Sequence, residues 1–315
     1  MAFKEFLEHS AKLVDAEIDR SLPNEKRYEP IREFLSRGGK RFRPALFFLF
    51  TKAYGGDEEE SIEYAAALEM FHNFTLLHDD IEDSSEMRRG KPTVHRIYGI
   101  GRAINYGDLL YTLVGQKLVG KDPRIAKRLF DAFLSVAKGQ DDELRWIGED
   151  RWDVTEQEYM EMIGNKTAAL IEASCECGCL VANAPLKEAE LAAKFGRNLG
   201  LAFQIHDDVL NLIGEFEDYK KEIGGDLQEG KRTLMLIHAI SNGHAELVEM
   251  MRKKQKTQED IKSIISLLNE SGSIDYAISA EKRIIDEAMK CVDLMNCGYK
   301  DYMKEAAEMV IKRKG

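Results

Sequence analysis

The chain has 315 residues, 44% of them apolar and 32% charged, with a formal net charge of -11 at pH 7. That length can bury a sizeable core. The acidic balance excludes nucleic acid and anionic membrane surfaces as partners, and makes an anionic substrate awkward unless cations mediate.

In chain order, the opening "MAFKEFLEHSAKLVDAEIDR" reads as an amphipathic helix of mixed charge, without the apolar centre of a signal peptide. "GGKRFRP" at 38–44 is a glycine turn followed by cations, and "ALFFLF" after it is too short to span a membrane. Ala67, Phe71, Phe74, Leu77 and Ile81 recur at helical spacing and lead into "DDIED" at 79–83. "RRGKP" follows at 88–92, then "NKTAAL" at 165–170. "CECGC" at 175–179 lacks zinc spacing and has no histidine beside it, so we read its thiols as small core residues in a reducing compartment. "EAELAAKFGRNLGLAFQIHDDVLNLIG" is one long helical pattern, and "GGDLQEGKRT" at 224–233 closes the series. No sustained apolar alternation and no proline after Pro185 occur. The expectation is an all-α protein, a single helical domain over residues 1–315, in the cytoplasm.

Two of these runs echo each other. "HDDIED" and "HDDVLN" both close an apolar helical stretch. Asp79 and Asp83, like Asp207 and Asn211, stand four residues apart, on one helix face. Hard oxygens at that spacing suit Mg²⁺, which completes its shell with water and phosphate oxygens. A solvated acidic face would explain either run alone. It explains less well two runs embedded in apolar helix, where ionised carboxylates are costly without a partner.

The cations point the same way. Lys40, Arg41 and Arg43 follow two glycines, Arg88 and Arg89 follow the first acidic run, and Lys231 lies in a near match to a phosphate loop. That match fails, because Arg232 stands where Ser or Thr is needed and no strand precedes it. Three basic groups beside two acidic pairs suit diphosphates held with divalent cations.

From about residue 36 to about 235 the chain resembles the trans-isoprenyl diphosphate synthases, or polyprenyl synthetases, with all five signature stretches in order. The resemblance implies a helical bundle around a deep cavity, usually a homodimer. It implies head-to-tail condensation of isopentenyl diphosphate with an allylic diphosphate, releasing pyrophosphate that takes the final proton. Asp79, Asp83 and Asp207 would hold Mg²⁺, three ions per site with substrate bound, supported by Asp80 and Asp208. Arg88, Lys166, Lys221 and Lys231 would bind the allylic diphosphate. Lys40, Arg43, His72 and Arg89 would bind that of isopentenyl, and Thr167 and Gln204 would stand near the reacting carbons.

The second motif departs from the family by ending in Asn211, which brings "DDVLNLIGE" close to a metal motif of class I terpene cyclases. A cyclase ionises one diphosphate and has no use for "GGKRFRP". A head-to-head condensing enzyme and a non-catalytic partner subunit are further alternatives. The first would space its aspartates differently, and the second would have lost some of these motifs. In the family, bulky residues four and five positions before the first Asp close the cavity. Here these are Thr75 and Phe74, with no insertion in the motif. That arrangement resembles the archaeal-type geranylgeranyl diphosphate synthases. Tyr106 is a second bulky candidate that could shorten the product, so farnesyl and geranylfarnesyl diphosphate stay as alternatives.

Overall fold

The computed structural model describes residues 2–213 and 224–312. Helices α1 (Ala2–Ser21), α2 (Glu29–Ser36) and α3 (Phe42–Ala53) precede α4 (Glu58–Glu82). α4 begins where Asp57 accepts the Glu59 N–H, with Glu58, Glu59 and Glu60 at the positive end of the helix dipole. From Tyr64 to Phe71 every residue of it is buried. A helix buried on all sides belongs at the centre, and α4 packs against α1, α3 and α6 (Ile100–Leu118). α5 (Val94–Tyr98) leads into α6.

Among the described residues the only strands are β1 (Met87–Arg88) and β2 (Lys91–Pro92), a minimal antiparallel hairpin pairing Arg88 with Lys91. Its two central residues, Arg89 and Gly90, both have positive φ, 53° and 74°, as a type I′ turn requires. The sequence reading missed this hairpin, because two-residue strands carry no alternation to read.

The chain continues with α7 (Pro123–Gly148), α8 (Glu156–Ile163), a π-helical turn at Gly164–Ala168, α9 (Ala169–Val181) and α10 (Leu186–Ile213). Then come α11 (Gly225–Glu229), α12 (Leu234–Ser241), α13 (Glu246–Met251), α14 (Gln258–Glu270), α15 (Ser273–Leu294) and α16 (Lys300–Ile311). The all-α expectation is borne out. Thr155 with Glu158 and Thr257 with Asp260 form reciprocal capping boxes that fix the starts of α8 and α14.

These elements fall into two compact units. The first comprises Met1–Asp131, Ala173–Ala193 and Met295–Met303, and the second Ala132–Glu172, Lys194–Leu294 and Lys304–Gly315. The divisions fall inside helices such as α7 and α10, so the sequence contains no linker to mark them. Leu46 to Phe50 of α3 are fully buried in the first unit's core. The second unit's core joins Trp146, Tyr159, Ile205, Leu234, Ile264 and Leu268. Cys175, Cys177 and Cys179 are all buried, and burial pushes the thiols of Cys177 and Cys179 well above the usual range, as core residues. Among the described residues no helix is long and apolar enough to cross a membrane.

Candidate active site

In the first unit, the end of α4 carries the first acidic run. The Asp83 N–H donates to the Asp79 carbonyl at 2.9 Å, which stacks the two residues one turn apart. Asp80 is buried, while Asp79 and Asp83 are half-buried. Arg88 reaches back from β1 and donates from Nε to Asp80 Oδ1 at 2.7 Å and from Nη2 to Asp79 Oδ2 at 3.4 Å. Burial raises the Asp80 carboxyl despite that partner. Burial opposes the Arg88 charge too, but Asp80 and Asp79 outweigh it and hold the guanidinium above its ordinary value.

The hairpin turn sends Arg89 elsewhere. Its Nη1 donates to Asn73 Oδ1 at 3.3 Å, and its guanidinium lies 5.9 Å from the Phe34 ring. Nearby, Arg43 Nη1 donates to His72 Nε2 at 3.3 Å. Burial first, and then Arg43, Arg89 and Arg88, hold His72 well below the usual imidazole range, so it is neutral. Burial, with Arg41 next, lowers Arg89 to about 10. Cations that depress one another in this way mark a place where an anion would be stabilised. Lys40, three residues before Arg43 in the chain, is exposed.

Arg41 is a correction. The sequence grouped it with the phosphate-seeking cations, yet its side chain is buried on Asp15 and Glu69, at 2.7 and 3.0 Å. Its φ of 47° is left-handed, so it turns inward as its neighbours Lys40 and Arg43 stay nearer the surface.

The chain-length candidates separate. Phe74 is half-buried, with its ring 5.1 Å from that of Tyr111 on α6 and 4.8 Å from that of His78. Thr75 donates its hydroxyl to the His72 carbonyl at 2.8 Å. Tyr106 packs against Tyr98, with ring centroids 5.7 Å apart, and accepts a hydrogen bond from Arg102.

In the second unit the π-helical turn presents Lys166 and Thr167. The turn approaches α7 so closely that a Cβ on Gly139 would lie 2.4 Å from the Lys166 nitrogen. π-Helical turns of this kind recur at functional sites. Lys166 pairs with Glu143, and Thr167 Oγ1 donates to Gln204 Oε1 at 2.7 Å. Gln204 Nε2 donates to Asp208 Oδ1, and the Tyr159 hydroxyl to Asp208 Oδ2, both at 2.7 Å. Lys231 faces Asp226 at 3.6 Å and pairs with Glu229. Glu143, Tyr159, Lys166, Thr167, Gln204, Asp208, Asp226 and Lys231 line one pocket. Asp207, beside it in sequence on α10, is half-buried. Asn211 is buried, and its Oδ1 accepts the Asp226 N–H at 3.1 Å, which ties α10 to α11. Lys221 lies outside the described residues.

Arg232, whose identity ruled out a phosphate loop, has a structural role. It lies 3.9 Å over the Trp152 ring and donates to the Arg151 carbonyl at 2.8 Å. Glu69, Asn73, Tyr111, Glu143 and Tyr159 went unnoticed in the sequence. Each sits on a helix whose pattern looks like ordinary packing, and no spacing rule marks its partner.

Do the acids fit a divalent cation? Among the described residues no group of three or more His, Cys, Asp or Glu side chains is arranged to hold one. The donor chemistry does fit. Asp79 and Asp83 offer hard oxygens one turn apart, and Asp80 Oδ2 is buried without a hydrogen-bond partner.

Residues 24–268 match the family model for polyprenyl synthetase. The chain belongs to the polyprenyl synthetase family. Another member, the geranylgeranyl diphosphate synthase of Methanosarcina mazei, is 35% identical over 322 aligned positions, covering 99% of this chain and 98% of that one. The crystal structure of geranylgeranyl pyrophosphate synthetase from Pyrococcus horikoshii superposes with a TM-score of 0.90 at 34% identity, covering 99% and 100% of the two chains. A polyprenyl synthase from Caulobacter crescentus, crystallised with calcium and isoprenyl diphosphate, gives 0.89 at 27% identity over 99% and 98%. The expected all-α prenyltransferase is thus borne out, and polyprenyl synthetases depend on divalent metals in general.

Proposed function

We propose that the protein condenses isopentenyl diphosphate head to tail with dimethylallyl, geranyl or farnesyl diphosphate and stops at geranylgeranyl diphosphate. The observation that carries this is the hairpin turn in the first unit. It turns Arg88 to Asp79 and Asp80, and Arg89 to Asn73, where its charge, like that of Arg43, is felt by the neighbouring His72. Two anion sites suit two diphosphates. A cyclase, with one diphosphate to ionise, would need only the first.

In this reading one catalytic domain spans residues 1–315. Asp79, Asp83 and Asp207, supported by Asp80 and Asp208, hold Mg²⁺, with three ions in the loaded site. Bound there, the cations supply positive charge to the leaving diphosphate. Arg88, Lys166, Lys221 and Lys231 bind the allylic diphosphate and stabilise the same charge. Lys40, Arg43, His72 and Arg89 seat isopentenyl diphosphate. The neutral His72 ring donates or accepts a hydrogen bond without adding charge. Thr167 and Gln204, already bonded to each other, orient the carbon end, and apolar helix walls keep water from the allylic cation. Phe74 and Thr75 with Tyr106 limit the length of the product.

We also read the enzyme as a cytoplasmic homodimer. Ile100, Ile104 and Tyr111 are exposed at helical spacing along α6, an apolar stripe of the kind a second copy covers. The Tyr111 ring behind Phe74 favours a second reading, a farnesyl product from a shallower cavity.

The test is product analysis. Purified protein with Mg²⁺, labelled isopentenyl diphosphate and each allylic starter should yield the twenty-carbon diphosphate and pyrophosphate. Formation of a hydrocarbon from the allylic diphosphate alone, with no incorporation of label, would overturn the assignment. Loss of all turnover with a chelator, and its return with Mg²⁺, tests the metal.

A further inference from the structure

Four segments of the first unit are linked in series through one buried carboxylate. Glu69 of α4, 3% exposed, accepts Arg41 Nη1 at 3.0 Å on Oε1. The same oxygen accepts Asn73 Nδ2 at 3.1 Å. Asn73, fully buried, also donates to the Glu69 carbonyl at 2.8 Å and accepts Arg89 Nη1 at 3.3 Å on Oδ1. Arg41 in turn holds its own loop through the Leu35 carbonyl at 3.0 Å and the Gly38 carbonyl at 3.3 Å, and reaches Asp15 at 2.7 Å. The chain Asp15–Arg41–Glu69–Asn73–Arg89 therefore runs from α1, through the glycine loop and α4, to the hairpin.

Gly39 shows how tightly this is set. A Cβ there would lie 2.9 Å from Arg41 Nη1 and 3.1 Å from Arg89 Nη2, so the loop backbone rests on both guanidiniums. Two guanidiniums so close repel, and a carboxylate beside them offsets the repulsion. Burial and Arg41 push Arg89 down, and Glu69 pulls it back up. The amide orientation is also decided: Asn73 offers its oxygen to Arg89 only because its nitrogen is committed to Glu69.

We propose that Glu69 and Asn73 are positioning residues for the isopentenyl diphosphate site, holding the Arg89 guanidinium and the Gly38–Arg41 loop in the geometry that receives the diphosphate. This rests on the proposed function, in which Arg89 contacts that substrate. Glu69 and Asn73 do not touch it. They act through Arg89, so their effect is on one substrate and not on the chemical step.

The test is a double-mutant cycle. Asn73→Ala cuts the link to Arg89 and leaves the Arg41–Glu69 pair in place. It should raise KM for isopentenyl diphosphate about tenfold, with kcat and the allylic KM within about twofold, since residues acting through one group couple to it. In an Arg89→Ala background the same substitution should add nothing. Glu69→Gln should repeat the KM split, and thermal unfolding of each variant shows that the fold is retained. An unchanged isopentenyl KM in Asn73→Ala, with Arg89→Ala impaired, overturns this inference alone. So does an equal increase in both backgrounds, which would place the effect elsewhere. If Arg89→Ala itself leaves that KM unchanged, the site assignment falls and the inference with it. Failure of both Asn73→Ala and Glu69→Gln to fold would make the chain a folding element and also overturn it.

Discussion

The Phe74 ring stacks on Tyr111, with centroids 5.1 Å apart and planes 28° apart. A residue on α4 proposed to stop the growing prenyl tail is thus buttressed by a ring from α6, and Phe71 closes the group 6.0 Å from Tyr111. Phe74→Ala is expected to shift the product to longer prenyl chains, and Tyr111→Ala to do so to a smaller extent. Tyr106→Ala should shift it least, because Tyr106 packs on Tyr98 and Arg102. Each added isoprene unit gains apolar burial of about 0.8 kcal/mol per methylene once space is open. Phe74 is half-buried, so the stability cost is about 3 kcal/mol or less. Chromatography of the products, beside unfolding curves, checks this. Unchanged products from a folded, active Phe74→Ala enzyme would place the stop elsewhere.

Asp79→Ala and Asp83→Ala are each expected to lower kcat about 10²–10³-fold without loss of helicity, because charge that acts on a leaving group is felt mainly in the transition state. Both residues lie at the C-terminal end of α4 and are half-buried, so their removal leaves the core intact. Turnover at saturating Mg²⁺ and the far-ultraviolet dichroism of each variant measure the two effects. Near-normal kcat in both would remove the metal assignment.

The sequence made some of this legible and hid the rest for physical reasons. Helices, the aspartate pairs and the basic turns were readable because each rests on local spacing. The hairpin at Arg89–Gly90 was hidden, although it decides where two adjacent arginines point. Arg41 looked like Lys40 and Arg43 because a left-handed φ leaves no trace in composition. Glu69, Asn73, Glu143 and Tyr159 were invisible because a buried polar partner is defined by what faces it across the fold. Spacing alone sets Asn211 one turn from Asp207 as a further hard oxygen, and hides that this oxygen accepts the Asp226 N–H, a contact 15 residues away in the chain.

Lys40→Ala and Arg43→Ala should each raise KM for isopentenyl diphosphate about tenfold and leave the allylic KM within about threefold, as expected for loss of a charge-assisted bond. Lys231→Ala should do the reverse, since Lys231 lies in the second unit's pocket with Lys166 and Asp208. Initial rates with one substrate varied at a time separate the cases. Equal weakening of both substrates by Arg43→Ala would mean that the two anion sites are not distinct.

Asp208 gives a prediction in pH. Burial, with Asp226 next, pushes its carboxyl up to about 8, and the hydrogen bonds from Tyr159 and Gln204 pull it down by less. The folded value lies above the ordinary 3.8, so the folded state keeps a proton that the unfolded chain has released. The stability this proton gives is fully present below about pH 4 and is lost as pH rises through about 8. Between pH 5 and 8 the ligand-free enzyme should therefore lose stability at up to about 1.4 kcal/mol per pH unit from this group. Asp208→Asn removes the titration at nearly unchanged size: the amide oxygen still accepts from Gln204, and the Tyr159 hydroxyl, which donates to Asp208, can turn so that its oxygen accepts the amide N–H. Urea unfolding in chelator, without diphosphates, should show the variant gaining on the parent as pH rises from 5 to 9. Parallel curves across that range would show that Asp208 is ionised throughout, and that the pocket solvates it better than its burial indicates.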